Sequence, residues 1–160
     1  MAEAPEPLPH APIGRVIGLL EHLREAPGGR EDLYKLGDPL GYQLDELLPV
    51  IEVAKRLALV QVAAGDIELT REGRTLAAAE EPDRKRLLST RVEALPLVGD
   101  IRRALLDGEG HVARQSFLEQ LREHFSPAEA ERQLQTALDW GRYVEVFDFD
   151  SDAEEFVLAS

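Results

Sequence analysis

Apolar residues recur at helical spacing at Ala130, Leu134, Ala137, Leu138 and Gly141, after which the spacing becomes two. Tyr143, Glu145 and Phe147 then share one face, and Val144, Val146 and Asp148 the other. Such a change of period predicts a helix that runs straight into a strand. The start of that helix is also marked. Ser126, Pro127 and Glu129 stand as N-cap, N1 and N3: the Ser oxygen accepts an otherwise unpaired N–H, Pro gives up none that matters, and Glu129 completes a capping box. Past an acidic turn, Glu155–Phe156–Val157–Leu158 returns as the second strand of a β-hairpin.

The same pattern occurs earlier. Leu44, Leu47, Leu48, Ile51 and Ala54 form an apolar stripe, followed by Leu59–Val60–Gln61–Val62, a turn at Ala64–Gly65–Asp66, and Ile67–Glu68–Leu69. Setting Leu59–Val62 on Tyr143–Val146 brings the two helices into register, which reads as an internal duplication. Shorter helices precede the long one in each half, and a helix-turn-helix with a hairpin appended is a winged helix. The fold expected is therefore α+β and mostly helical, with tandem winged-helix-like halves, each made of helices followed by a β-hairpin wing.

The rest of the chain fits around these halves. Residues 1–10 are Pro-rich and aperiodic and read as a flexible arm. Ile13, Val16, Ile17, Leu20 and Leu23 give a first helix, stopped by Pro27–Gly28–Gly29. Arg30 to Leu36 reads as a short second helix and Gly37 to Gly41 as a turn. Pro49 requires the third helix to start near Asp45 or to kink. Thr70 is the N-cap of a further helix. Glu80–Glu81–Pro82–Asp83 marks the boundary, dividing a first half at 11–79 from a second at 84–158. Arg84–Leu95, Leu97–Leu106 and Gln115–Phe125 are the helices of the second half that precede the long one.

Charge narrows the functions open to such a fold. Residues 1–79 carry 8 Lys/Arg against 13 Asp/Glu, and residues 80–160 carry 10 against 18, for a net charge of −13. A molecule acidic in both halves repels a polyanion, so duplex DNA is expected to bind no better than the ~10⁻⁴–10⁻⁶ M of non-specific complexes. Hydrophobic residues make up 44% of the chain, enough for a packed core, yet no run approaches the ~20 apolar residues of a membrane span. Without cysteine there is neither a disulfide framework nor a thiolate metal site. With an acidic N-terminus unlike a signal peptide, this fits a cytoplasmic protein with no direct insertion into the membrane.

No motif carries chemistry. None of the lysines, Lys35, Lys55 and Lys85, sits in a phosphate-binding loop. Gly108–Glu109–Gly110–His111 matches a dinucleotide fingerprint in letters only, because it follows a helix where a strand is required. His10, His22, His111 and His124 lack ligand spacing. Asp148, Asp150 and Asp152 alternate like the start of a calcium loop, but Ala153 stands where the turn glycine belongs and Ala159 where the bidentate Glu belongs. No nucleophile, cofactor site or metal set is expected. The candidates that remain are surface features: the basic residues Arg84, Lys85, Arg86, Arg91, Arg102 and Arg103 as a protein-docking surface or a solvated face, and Trp140 as a core anchor or an interface residue.

Seven stretches stand out together: Leu8–Pro9–His10–Ala11, Gly29–Arg30–Glu31–Asp32–Leu33–Tyr34–Lys35–Leu36, Leu47–Leu48–Pro49, Gly65 to Arg74, Arg84–Lys85–Arg86–Leu87, Glu129 to Leu134, and Asp139–Trp140–Gly141–Arg142–Tyr143. In this order they resemble the AAA-associated C-terminal domain, found downstream of the ATP-binding cassette in ATPase subunits similar to nitrate, sulfonate and taurine importers. The resemblance covers about residues 8–158 and implies no catalytic or ligand residues. It implies a non-catalytic regulatory or interaction domain whose partner is an ABC-type ATPase subunit or transporter complex at the inner face of the membrane, with a homodimer left open. The cassette itself lies outside these residues. Two other readings stand beside it: a winged-helix transcription regulator, disfavoured by Asp45, Glu46, Glu52, Glu129, Glu131 and Asp139 on the long helices, and a small-anion sensor using the Arg84–Arg103 region.

Overall fold

The computed structural model describes residues 6–159. They form two compact units, one spanning residues 9–87 and the other residues 88–159 together with 6–8. The units divide inside a helix, at Leu87/Leu88, a few residues beyond the acidic boundary expected at 80–83.

The first unit opens with α1, Ile13–Glu25, which buries Val16, Ile17, Leu19, Leu20 and Leu23. Strand β1, Arg30–Asp32, follows a Pro-Gly-Gly turn in which Gly28 and Gly29 adopt φ of 66° and 67°. Only glycine adopts such angles without strain. A 3-10 turn, Leu33–Lys35, is capped by Asp32, whose Oδ1 accepts the Tyr34 N–H at 2.8 Å. Next come α2, Gly37–Leu40, and α3, Leu44–Arg56. The expected helix over Arg30–Leu36 is thus a strand followed by a 3-10 turn, and the expected turn at Gly37–Gly41 holds a helical turn. Three-residue elements are too short for a period to reveal.

A reciprocal capping box between Gln43 and Glu46 starts α3, so Pro49 lies in its interior and leaves the carbonyl of the exposed Asp45 without its helical donor. Arg15 ties α1 to the start of α3, lying 3.1 Å from Glu46 and 5.0 Å from the Tyr42 ring centroid. The expected hairpin is β2, Val60–Ala63, and β3, Asp66–Leu69, joined by a two-residue turn with both φ positive. The sheet order is β1-β3-β2, all antiparallel. Helix α4, Arg71–Ala78, packs on α1 and is capped by Thr70, whose Oγ1 accepts the Gly73 N–H at 3.0 Å. Helix α5, Glu81–Glu93, gives Arg84 to the first unit and the buried Leu88 and Val92 to the second.

The second unit repeats this order. It contains α6 (Pro96–Asp107), β4 (His111–Ala113), α7 (Arg114–Leu121), α8 (Pro127–Tyr143), β5 (Phe147–Asp150) and β6 (Glu155–Leu158). Its sheet order, β4-β6-β5, is again antiparallel throughout. Each unit is thus a set of helices with a small antiparallel sheet, and each sheet gains a third short strand beyond the expected hairpin. Ser126 caps α8 as its position implies, accepting the Glu129 N–H at 3.2 Å. Phe117, Phe147 and Phe149 each pack edge-on against Phe156, with centroids 5.2, 5.8 and 5.4 Å away.

Two local expectations for the second unit change. Helix α8 does not stop at Gly141. It continues to Tyr143, and the strand begins at Phe147 rather than Tyr143. Gly141 is small for another reason: a Cβ there would stand 2.2 Å from Cζ of Phe147, whose ring lies directly on the helix backbone. The period-two pattern at 143–146 is instead the helix exit, where Glu145 adopts φ 63° and Val146 N–H returns to the Gly141 carbonyl. Ala58, with φ 60°, is its counterpart, and Leu59 N–H returns to the Ala54 carbonyl. The duplicated helices therefore align with Ala58 on Glu145, three residues away from the register read from the sequence.

The N-terminal segment also differs from the arm expected at 1–10. Leu8 is buried, its N–H donates to Gln133 Oε1 at 2.7 Å, and its carbonyl accepts from Gln133 Nε2 at 3.0 Å. Residues 1–5 of that arm lie outside the described residues.

Candidate functional site

The six basic residues divide between the units, Arg84, Lys85 and Arg86 in the first and Arg91, Arg102 and Arg103 in the second. Arg84 serves the fold. Its side chain is 12% exposed, and its Nη2 donates to the Ala79 carbonyl at 3.1 Å, near the C-terminal end of α4. A cation there satisfies carbonyls that lack helical partners and complements the negative end of the helix dipole. Glu81 and Glu21 lie 3.8 and 3.9 Å from the same guanidinium. Arg86, Arg102 and Arg103 are exposed, but each faces a carboxylate: Asp83 at 2.5 Å, Glu93 at 3.7 Å and Asp100 at 3.0 Å respectively. Lys85 and Arg91 are half-buried. Trp140 is 2% exposed, on the buried side of α8 with Ala137 and Gly141, where it is a core anchor.

Several of the other polar candidates also have local roles, whereas the buried Nε2 of His124 has no hydrogen-bond partner among the described residues. Asp150 caps the hairpin turn, its Oδ1 accepting the N–H groups of Asp152 and Ala153 at 3.0 and 3.2 Å. Asp148 accepts the Phe149 N–H at 2.7 Å and the Arg142 Nε at 2.9 Å; these two bonds, in that order of effect, hold its carboxyl below the ordinary range. His22 pairs with Glu31, and His111 with Glu155 at 3.0 Å. Among the described residues no group of three or more His, Cys, Asp or Glu is placed to hold a metal ion. No described helix is long and apolar enough to cross a membrane.

What sequence reading missed is an apolar groove on the first unit. It has a volume of about 520 Å³ and is lined by Leu33, Tyr34, Leu44, Leu47, Leu48 and Ile51. Leu47 and Ile51 belong to the core, whereas Tyr34 is 87% exposed, Leu44 68% and Leu48 51%. The periodicity had placed Leu44 and Leu48 inward with the rest of the stripe. A stripe broader than the core needs was the available signal, and the duplicated helix shows its excess. With Ala58 set on Glu145, the core positions Leu47, Val50, Ile51, Val53, Ala54 and Leu57 fall on Leu134, Ala137, Leu138, Trp140, Gly141 and Val144, which are buried as well. Leu44 and Leu48 fall on Glu131 and Gln135, both exposed. Tyr34 falls on Gln115, because Leu33 N–H donates to the Gly65 carbonyl just as Arg114 N–H donates to that of Glu154. The fold thus accepts polar side chains at all three positions.

Element order and sheet order together define a mostly helical α+β protein of two units, each with a three-stranded antiparallel sheet, and the first unit carries an apolar groove. The profile of the C-terminal AAA-associated domain matches residues 34–150, well over half of the 160 residues, and the chain belongs to that family. The match begins in the 3-10 turn of the first unit and ends in β5 of the second, and the family is one associated with ATPases. Comparison with curated proteins and with solved structures gave no match.

Proposed function

We propose that the protein is a non-catalytic interaction and regulatory domain of an ABC-type transporter ATPase, of the kind that imports anions such as nitrate or sulfonate. The observation that carries this reading is the family match, which spans parts of both units. The distribution of polar groups supports it: Arg84, Asp148, Asp150, His22 and His111 are engaged in caps and local pairs. The domain then acts through its surface, on a cytoplasmic ATPase at the inner face of the membrane. A domain that binds one state of a cassette better than another shifts the balance between them by that difference in affinity. Arg86, Arg102 and Arg103 would steer an acidic face of the partner only weakly, since each already faces a carboxylate.

The test is calorimetric titration of the domain into its cognate ATP-binding cassette, with and without nucleotide. Saturable binding whose affinity depends on the nucleotide is expected. Absence of binding in every nucleotide state refutes the reading. Changing Arg86, Arg102 and Arg103 to Glu while sparing Arg84 separates surface charge from fold: wild-type affinity in that variant removes the cations from the interface and leaves the regulatory reading intact.

A further inference from the structure

The groove of the first unit carries the proposed docking function further. Its three exposed apolar side chains, Tyr34, Leu44 and Leu48, stand where the second unit has Gln115, Glu131 and Gln135. The shared fold does not require them to be apolar, so their cost in exposed surface calls for another account. Exposed apolar residues gathered in a groove mark an interaction site.

The rim limits what can sit there. Asp38 and Asp45, next in sequence to the lining residues Gly37 and Leu44, are exposed and make no ion pair among the described residues, and Glu46 is held by Arg15. Over the same segment Lys35 is the one exposed cation. A second copy of the chain would bring this acidic rim against its own like, and an anionic lipid surface would be repelled in the same way. From Leu44 to Ile51 the apolar side of α3 runs for about two helical turns, roughly 10 Å, a length that matches one short helical seam. We propose that the groove seats an amphipathic helix of the ATPase partner, with leucine-like residues every three or four positions on one face and Lys or Arg beside them. The proposal rests on the ATPase-docking reading above. Apolar contacts hold this helix in the groove, and the basic residues meet Asp38 and Asp45 and set its direction.

The test exchanges the groove residues for those the second unit already carries: Tyr34→Gln, Leu44→Glu and Leu48→Gln, together and with Leu44→Glu alone. All three sites are exposed, so circular dichroism and the thermal midpoint should match the wild type. Against the cognate cassette, the triple variant should bind at least about tenfold more weakly and Leu44→Glu alone about threefold to tenfold more weakly. Asp38→Lys with Asp45→Lys should lower the affinity and flatten its salt dependence. If the wild type binds and the triple and single variants bind equally well, the groove is not the docking site, although the domain still docks. If the wild type fails to bind, the ATPase-docking reading falls, and this proposal with it. Light scattering provides the remaining arm: a dimer that the triple variant converts to a monomer would assign the groove to a second copy and overturn the partner helix.

Discussion

Gln133 is the one polar side chain among the described residues that is fully buried, and its replacement by Leu tests how residues 6–8 are held. The side chains have similar volumes, so the change removes the amide without opening a large cavity. If Leu8 stayed in place, its N–H and carbonyl would lose partners at 2.7 and 3.0 Å. Two buried backbone groups left unpaired cost about 1–3 kcal/mol each, or roughly 2–6 in all. Release of the segment offers another route. It exposes Leu8, now 3% exposed, at about 1.5–3 kcal/mol, gives up two net hydrogen bonds at about 1 kcal/mol each, and recovers about 3 kcal/mol of backbone entropy over the three residues freed. The cheaper route limits the loss to about 0.5–2 kcal/mol, and release of the segment becomes the response to the mutation. Urea unfolding followed by Trp140 fluorescence measures this in the same unit. Leu8→Ala should cost about 2 kcal/mol in the wild type and under about 0.5 in the Gln133→Leu background, because Leu8 is already out. Additive losses, or a Gln133→Leu cost below about 0.5 kcal/mol, would refute the clip.

Three other outcomes follow from particular contacts. Gly141→Ala places a Cβ 2.2 Å from Phe147 Cζ and should cost about 1–3 kcal/mol, while adding Phe147→Val recreates the Ala54/Val60 pair of the first unit and should recover part of the loss by the same urea assay. Arg84→Met should destabilise the first unit by about 1–2 kcal/mol through the carbonyls it leaves at the end of α4, whereas Arg86→Ala should change stability by less than about 0.5, as thermal melts can show. Asp148 should titrate below the ordinary Asp value of about 3.9 in a carbon-detected NMR titration. A depressed folded-state pKa adds stability above the unfolded value that is lost as pH falls through the folded one, so Asp148→Asn should flatten acid unfolding only below about pH 4.

The long helices, their caps and the duplicated order of elements were legible in the sequence because each leaves a signal several residues long. Ser126 and Thr70 cap as their chemistry requires. The short strands β1 and β4 left no such signal, since pairing with β3 and β6 decides them, and that pairing is non-local. Gly141 misled for a definable reason: a glycine near a helix end reads as a stop, and its contact with Phe147 depends on where the chain goes next. Of the surface features, the cations were visible, as were Asp83 and Asp100 three residues before Arg86 and Arg103, but Glu93 was not, because Arg102 reaches it from another helix. The groove was obscured because an apolar stripe does not say which of its members the core covers. Only after the two helices are aligned on Ala58 and Glu145 do Leu44 and Leu48 stand out against Glu131 and Gln135.

The central claim is that this domain works by biasing an ATPase, and steady-state ATP hydrolysis by the cognate cassette, measured as the domain is titrated in, tests it most directly. The account predicts a saturable change in turnover, with a midpoint at the dissociation constant from calorimetry, that the Tyr34/Leu44/Leu48 triple variant reaches only at about tenfold higher concentration. Turnover that stays constant across a titration in which the domain demonstrably binds would contradict it.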